Sequence, residues 1–137
     1  MFLLDTNVIS TLRRPEIAPP GLLAWAGATP ITDLYLSVMS VYELELGVQR
    51  IERRDPGQGQ VLRRWLSGQV MPRFRDRVLA IDDVIAARCA ALQIADPRSE
   101  RDSFIAATAL VHRCILVTRN VRDFAPMGID ILNPWEG

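Results

Sequence analysis

Short apolar runs that stop at polar or chain-breaking residues alternate along this chain with stretches whose apolar positions recur at helical spacing. FLL, residues 2–4, is apolar and ends at Asp5, as a buried strand does. Thr6 or Asn7 can cap a short helix through Leu12, and Pro15 with Pro19-Pro20 breaks the chain after it. A helix is expected from about Leu22 to Ala28, closed by Thr29-Pro30. LYLSV, residues 34–38, reads as a second strand. Ser40 then caps a helix with Val41, Leu44, Val48 and Ile51 on one face. Asp55-Pro56-Gly57 is a turn before a helix over residues 58–68 that carries Trp65.

VLAI, residues 78–81, is a third strand, and Asp82 caps an alanine-rich helix from Val84 to about Ile94. Pro97 marks a loop and Ser99 is a candidate cap. The helix expected over residues 102–112 is apolar on almost every side and should therefore be buried. Ile115–Val117 and Ile129–Leu132 complete the strands. Strands of three to five residues alternating with helices imply parallel pairing through right-handed crossovers. Ligands then bind beyond the carboxyl ends of the strands. With 137 residues the chain fits one domain, residues 1–137.

Composition narrows the chemistry. An apolar share of 49% supports a sizeable core, and no run is long enough for a membrane span. MFLLDTNV has no basic start and meets an acid too early for a signal peptide. Cys89 and Cys114 read as buried thiols rather than a disulfide framework, and the expectation is a soluble cytoplasmic protein. Formal net charge is zero, and all sixteen basic residues are arginine. Their clusters at Arg50/Arg53/Arg54, Arg63/Arg64 and Arg73/Arg75/Arg77 read either as solvated helix faces or as phosphate contacts. The absence of lysine excludes a P-loop and Schiff-base chemistry. A single His112 excludes the HExxH zinc motif, and two separated cysteines exclude a four-cysteine zinc site.

What remains is carboxylate chemistry. Asp5, Glu43, Asp102 and Asp123 each stand at an apolar-to-polar junction, and strand logic lets all four reach one edge of the sheet. Gathered acids raise one another's pKa unless a cation relieves them, and the natural relief is a hard divalent ion, Mg²⁺ or Mn²⁺. Each acid also has a plainer reading. Asp5 can be a cap, Asp102 a first-turn acid favoured by the helix dipole, and Asp123 a loop acid. Glu43 competes with Glu45, which lies roughly 200° around the same helix, so only one of them faces the pocket. Asp82, Asp83 and Asp96 read as caps or solvated acids. Thr118 and Asn120 can orient carboxylates or a catalytic water, or simply make a turn. Trp25, Trp65 and Trp135 read as core or interface anchors, and His112 as structural.

LLDTNVIS, LYLSVMSVYELELG, RDSFIAATAL, VTRNVRDF and the closing NPW, in this order, closely resemble the PIN-domain family over essentially the whole chain. Within it the blocks look most like the VapC-type toxins of toxin–antitoxin pairs, in the FitB-like branch. The resemblance implies a three-layer α/β/α sandwich with a short, mainly parallel central sheet. It puts the family's acidic quartet, both catalytic and metal-holding, on Asp5, Glu43, Asp102 and Asp123, and so chooses Glu43 over Glu45. Supporting polar positions fall on Thr6, Asn7, Thr118 and Asn120. The charged stretch ADPRSERD departs from the small, apolar approach to the third acid that is usual in the family.

The activity implied is a Mg²⁺- or Mn²⁺-dependent endoribonuclease, the toxin component of a type II toxin–antitoxin system. Its expected partners are RNA, a cognate antitoxin and a second copy of the chain, with DNA reached only through the antitoxin. A different class of reading is an antitoxin-binding module with vestigial catalysis, acting within a regulatory DNA-binding complex. A metal-dependent phosphatase on a similar sheet is a third, disfavoured by the missing lysine and by the lack of a DxD motif after the first strand.

Overall fold

The computed structural model describes residues 1–136. In chain order its elements are β1 (Phe2–Leu4), α1 (Thr6–Leu12), α2 (Pro20–Ala28), β2 (Leu34–Ser37), α3 (Val38–Arg54), α4 (Pro56–Trp65), α5 (Met71–Phe74), β3 (Val78–Leu79), α6 (Asp83–Ala95), α7 (Glu100–His112), β4 (Ile115–Val117), α8 (Val121–Phe124) and β5 (Ile131–Leu132). The five strands form one sheet in the order β3-β2-β1-β4-β5, and every neighbouring pair is parallel. β1 lies at the centre, with Phe2, Leu3 and Leu4 opposite Ile115, Leu116 and Val117.

Alternation along these short strands divides the core in two. Leu4, Leu34, Leu36 and Val117 face a layer built from Val8, Ile9, Leu22, Leu44, Val48 and Phe74. Leu3 and Leu116 face the opposite side, against Ile105, Ala106, Ala109 and Phe124. Both faces of the sheet are therefore covered, giving the expected three-layer α/β/α sandwich. The helix expected to be apolar all round is α7. It meets the sheet on one side, while its Ala107 packs against Ile85 and Cys89 of α6 on the other. Cys89 and Cys114 are buried free thiols. Among the described residues no helix is long and apolar enough to cross a membrane.

The helix starts differ from the sequence reading at several points. Asp5, rather than Thr6 or Asn7, caps α1, its carboxylate accepting the Thr6 N–H. Ser37, rather than Ser40, caps α3 by accepting the Met39 N–H at 3.0 Å, because the strand ends one residue earlier than LYLSV suggests. Ser40 is instead buried inside the helix. α2 begins at Pro20, whose fixed φ and missing N–H suit a first helical turn. α4 begins at Pro56, capped by Asp55, and leads through a π-helical turn at Leu66–Val70 directly into α5. The caps foreseen at Asp82 and Ser99 are present. β3 and β5 are only two residues long, and α8 was not foreseen.

Gly59 sets the closest approach of α3 and α4. A Cβ there would lie 2.4 Å from Glu52 Cα and 2.8 Å from its backbone nitrogen, neither of which can swing aside. Overpacking of this kind costs about 1–3 kcal/mol, more than the roughly 1 kcal/mol that alanine gains in helix propensity. Gly59→Ala is therefore expected to lower the urea midpoint at unchanged m-value, and equal or greater stability would contradict this packing.

Candidate active site

The site lies at the carboxyl edge of the central strands, where the chain turns from β1 to β2 on one side and β4 lies on the other. Open α/β sheets bind ligands at such a switch point. The Asp5 N–H donates to Val117 O at 2.9 Å and extends the β1–β4 pairing by one residue, bringing Thr118 beside it. Asp5 is only 5% exposed, and Thr118 is fully buried. The Thr118 hydroxyl donates to Asp5 Oδ2 at 2.7 Å. Asn7 Nδ2 approaches the same oxygen at 3.3 Å, while the Thr6 N–H donates to Oδ1 at 2.8 Å.

Glu43 reaches the site from α3, its Oε1 accepting the Thr6 hydroxyl at 2.8 Å. Thr6 therefore holds two acids at once, Asp5 through its backbone and Glu43 through its side chain. The rival Glu45 is engaged elsewhere: the Arg63 Nη1 donates to both of its carboxylate oxygens, at 2.9 and 2.6 Å, and the same guanidinium spans to Glu52. That bridge ties α3 to α4 and directs Glu45 away from the pocket.

Asp102 occupies the first turn of α7, behind the Ser99 cap. Asp123 lies in α8, in the turn that Thr118 steadies by accepting the Asn120 N–H at 2.9 Å. The structure brings the four acids within range of one another's charge. The Asp102 carboxyl is pushed up to about 6, first by burial and then by the charges of Asp5, Asp123 and Glu43, with Arg101 opposing. Asp5 is also raised. Burial dominates, the Thr118 and Thr6 hydrogen bonds oppose it, and Glu43 and Asp123 add to it.

All eight positions expected at the site lie on the segments that border this edge. Asn120 contributes through its backbone N–H; among the described residues no side-chain hydrogen bond joins it to an acid. Arg101 was missed by the sequence reading. Its signal lay in ADPRSERD, where a charge directly precedes the third acid. Arg101 Nη1 stands 3.6 Å from Glu43 Oε2.

The donor set suits a hard divalent cation. It is all oxygen, carries concentrated negative charge, and includes the buried Asn7 Oδ1, which has no hydrogen-bond partner. Among the described residues no three His, Cys, Asp or Glu side chains stand close enough together to hold an ion by themselves. Mg²⁺ does not require such a set: it keeps several waters and is held by one or two carboxylates together with substrate oxygens.

The chain has relatives among known proteins. Residues 2–128 match the model of the PIN domain. The chain is 38% identical to "VapC ribonuclease Y4jK" of Sinorhizobium fredii, covering 99% of each. It is 34% identical to "Toxin FitB" of Neisseria gonorrhoeae, covering 98% of this chain and 99% of the relative. The solved structure of FitAB bound to an IR36 DNA fragment superposes with a TM-score of 0.88 at 32% identity, covering 98% of this chain and 96% of that one. The chain belongs to the PIN-domain family, among relatives that include the VapC and FitB toxins.

Proposed function

We propose that the whole chain is one PIN nuclease domain, a divalent-metal-dependent endoribonuclease acting as the toxin of a type II toxin–antitoxin system. The observation that carries this reading is the cluster of four acids at the sheet's carboxyl edge, two of them raised by burial and mutual repulsion. A site that disfavours its own ionisation is made to receive positive charge. Asp5, Glu43, Asp102 and Asp123 would hold Mg²⁺ or Mn²⁺, which supplies Lewis-acid stabilisation of the scissile phosphate and a water acidified for attack.

The protein's own part is orientation. Three donors fix the buried Asp5 carboxylate, so its lone pairs are aimed before substrate arrives. Thr6 couples the angle of Glu43 to that of Asp5. Glu43 positions a water, and Asp102 and Asp123 close the pocket from α7 and α8. Thr118 acts through Asp5, and Asn120 through the turn that carries Asp123.

The partners proposed are RNA, a cognate antitoxin and a second copy of the chain, in the cytoplasm. DNA is reached through the antitoxin, as in a complex of the kind that the DNA-bound FitAB structure represents. No observation favours the reading of a vestigial site, since four mutually repelling acids carry a standing cost to the fold.

Two tests follow. Asp5→Asn is expected to abolish metal-stimulated cleavage of RNA while preserving the circular dichroism spectrum and cooperative melting. Undiminished cutting by the folded variant, or by wild type in excess EDTA, would refute the assignment.

The second test uses stability. A carboxyl raised from 3.8 to about 6 in the folded state retains its proton longer there than in the unfolded chain. Its contribution therefore turns unfavourable as pH rises through that window and is fully unfavourable at neutral pH. Two pKa units set a ceiling near 3 kcal/mol, and partial solvation of Asp102 reduces this to about 1–2 kcal/mol. In EDTA, Asp102→Asn should melt above wild type at pH 7, with the gap gone below about pH 4. Mg²⁺ or Mn²⁺ should raise the wild-type melting temperature and narrow the gap. A variant less stable than wild type at pH 7 in EDTA would count against the crowded-acid site.

A further inference from the structure

A cation stands at the edge of the acid cluster. Arg101 precedes Asp102 in the first turn of α7, and its guanidinium carbon lies 5.4 Å from the centre of the Tyr42 ring on α3. Glu43, the neighbour of Tyr42, gives Oε1 to Thr6 and leaves Oε2 facing Arg101 at 3.6 Å. That distance makes an ion pair without a hydrogen bond, so the guanidinium fork keeps donors free. The Arg101 side chain is 44% exposed and Tyr42 is 52% exposed, so both face solvent beside the acids. An ion pair so exposed contributes little to stability, which leaves the placement of Arg101 unexplained by folding alone.

We propose that Arg101, held beside the ring of Tyr42, binds an RNA backbone phosphate at the mouth of the acid cluster. The assignment rests on the nuclease reading of the site. RNA is a polyanion, and its approach to four carboxylates is repulsive unless positive charge meets it at the rim. A guanidinium suits this role because its planar fork matches two phosphate oxygens at once. The ring attracts the cation without using its hydrogen-bond donors. Glu43 holds the guanidinium by one long contact, which a bidentate phosphate can displace.

The test measures binding separately from cleavage. A short fluorescein-labelled single-stranded RNA of mixed sequence is titrated with full-length Asp5→Asn protein, and with the same protein carrying Arg101→Gln or Arg101→Lys, across a salt series. Arg101→Gln should weaken binding roughly tenfold, the scale of one charge-assisted contact. It should also lower the salt slope by about 0.7, the value for one phosphate on a single strand. Arg101→Lys should keep the slope and lose part of the affinity, since a point charge cannot reproduce the fork. A salt slope unchanged in folded Arg101→Gln protein overturns the proposal whatever the affinity does, because a residue acting only on Glu43 releases no counterion. Loss of antitoxin binding with RNA binding intact overturns it as well. Wild-type protein that cuts no RNA would sink the nuclease reading separately, because this measurement is made without cleavage.

Discussion

A carboxylate that is nearly removed from solvent at the end of a three-residue strand is costly to ionise, and much of this molecule is arranged around keeping Asp5 ionisable. Its donors come from both ends of the chain: Thr6 and Asn7 follow it directly, while Thr118 arrives from more than a hundred residues away. Thr118 can reach it only because β1 and β4 pair in parallel with Leu4 opposite Val117. A slip of that register by one residue would turn the strand's apolar set over and remove the hydroxyl from Oδ2. The central pairing of the sheet and the geometry of the site are thus one constraint.

From that pairing the other acids follow by topology. α1 and α3 begin directly after β1 and β2 at the carboxyl edge, and the first turn of α7 brings Asp102 within range of Asp5 and Glu43, so the three N-termini border the same space. The positive ends of their dipoles partly offset the charge that gathers there. For Asp102 the offset is incomplete, and its carboxyl remains raised. Cap and functional roles are not alternatives here. Asp5 caps α1 with one oxygen and accepts from Thr118 and Asn7 with the other, so a cap can also stand among the gathered acids.

The strands were legible in the sequence because each is short, mostly apolar and bounded by a polar or breaking residue. The uniformly apolar α7 announced its burial between the sheet and α6 in the same way. Other features depended on partners that a linear reading cannot see. Helical spacing separated Glu43 from Glu45 without choosing between them; the choice is made by Arg63, eighteen positions on, which draws Glu45 against α4. Ser37 and Ser40 are equally good caps by type, and the point where β2 stops pairing decides for Ser37. The π-helical turn that joins α4 to α5, with Leu66 and Val70 buried in the core, carries no signal in residue type or spacing.

The zero net charge acquires meaning once the acids are located. Four of the sixteen acids gather at one edge, where Arg101 meets them, while another arginine, Arg63, is consumed in joining α3 to α4. A balanced molecule exerts little long-range attraction on a polyanion, so encounter with RNA cannot rely on the steering available to strongly basic nucleases. Recognition must then be local and depend on individual groups at the rim of the pocket. That is the setting in which one guanidinium, set beside a ring and loosely held by a single carboxylate oxygen, has leverage far larger than its share of the surface. The charged approach to Asp102 lies in the partly exposed first turn of α7, upstream of the buried face that begins at Ser103.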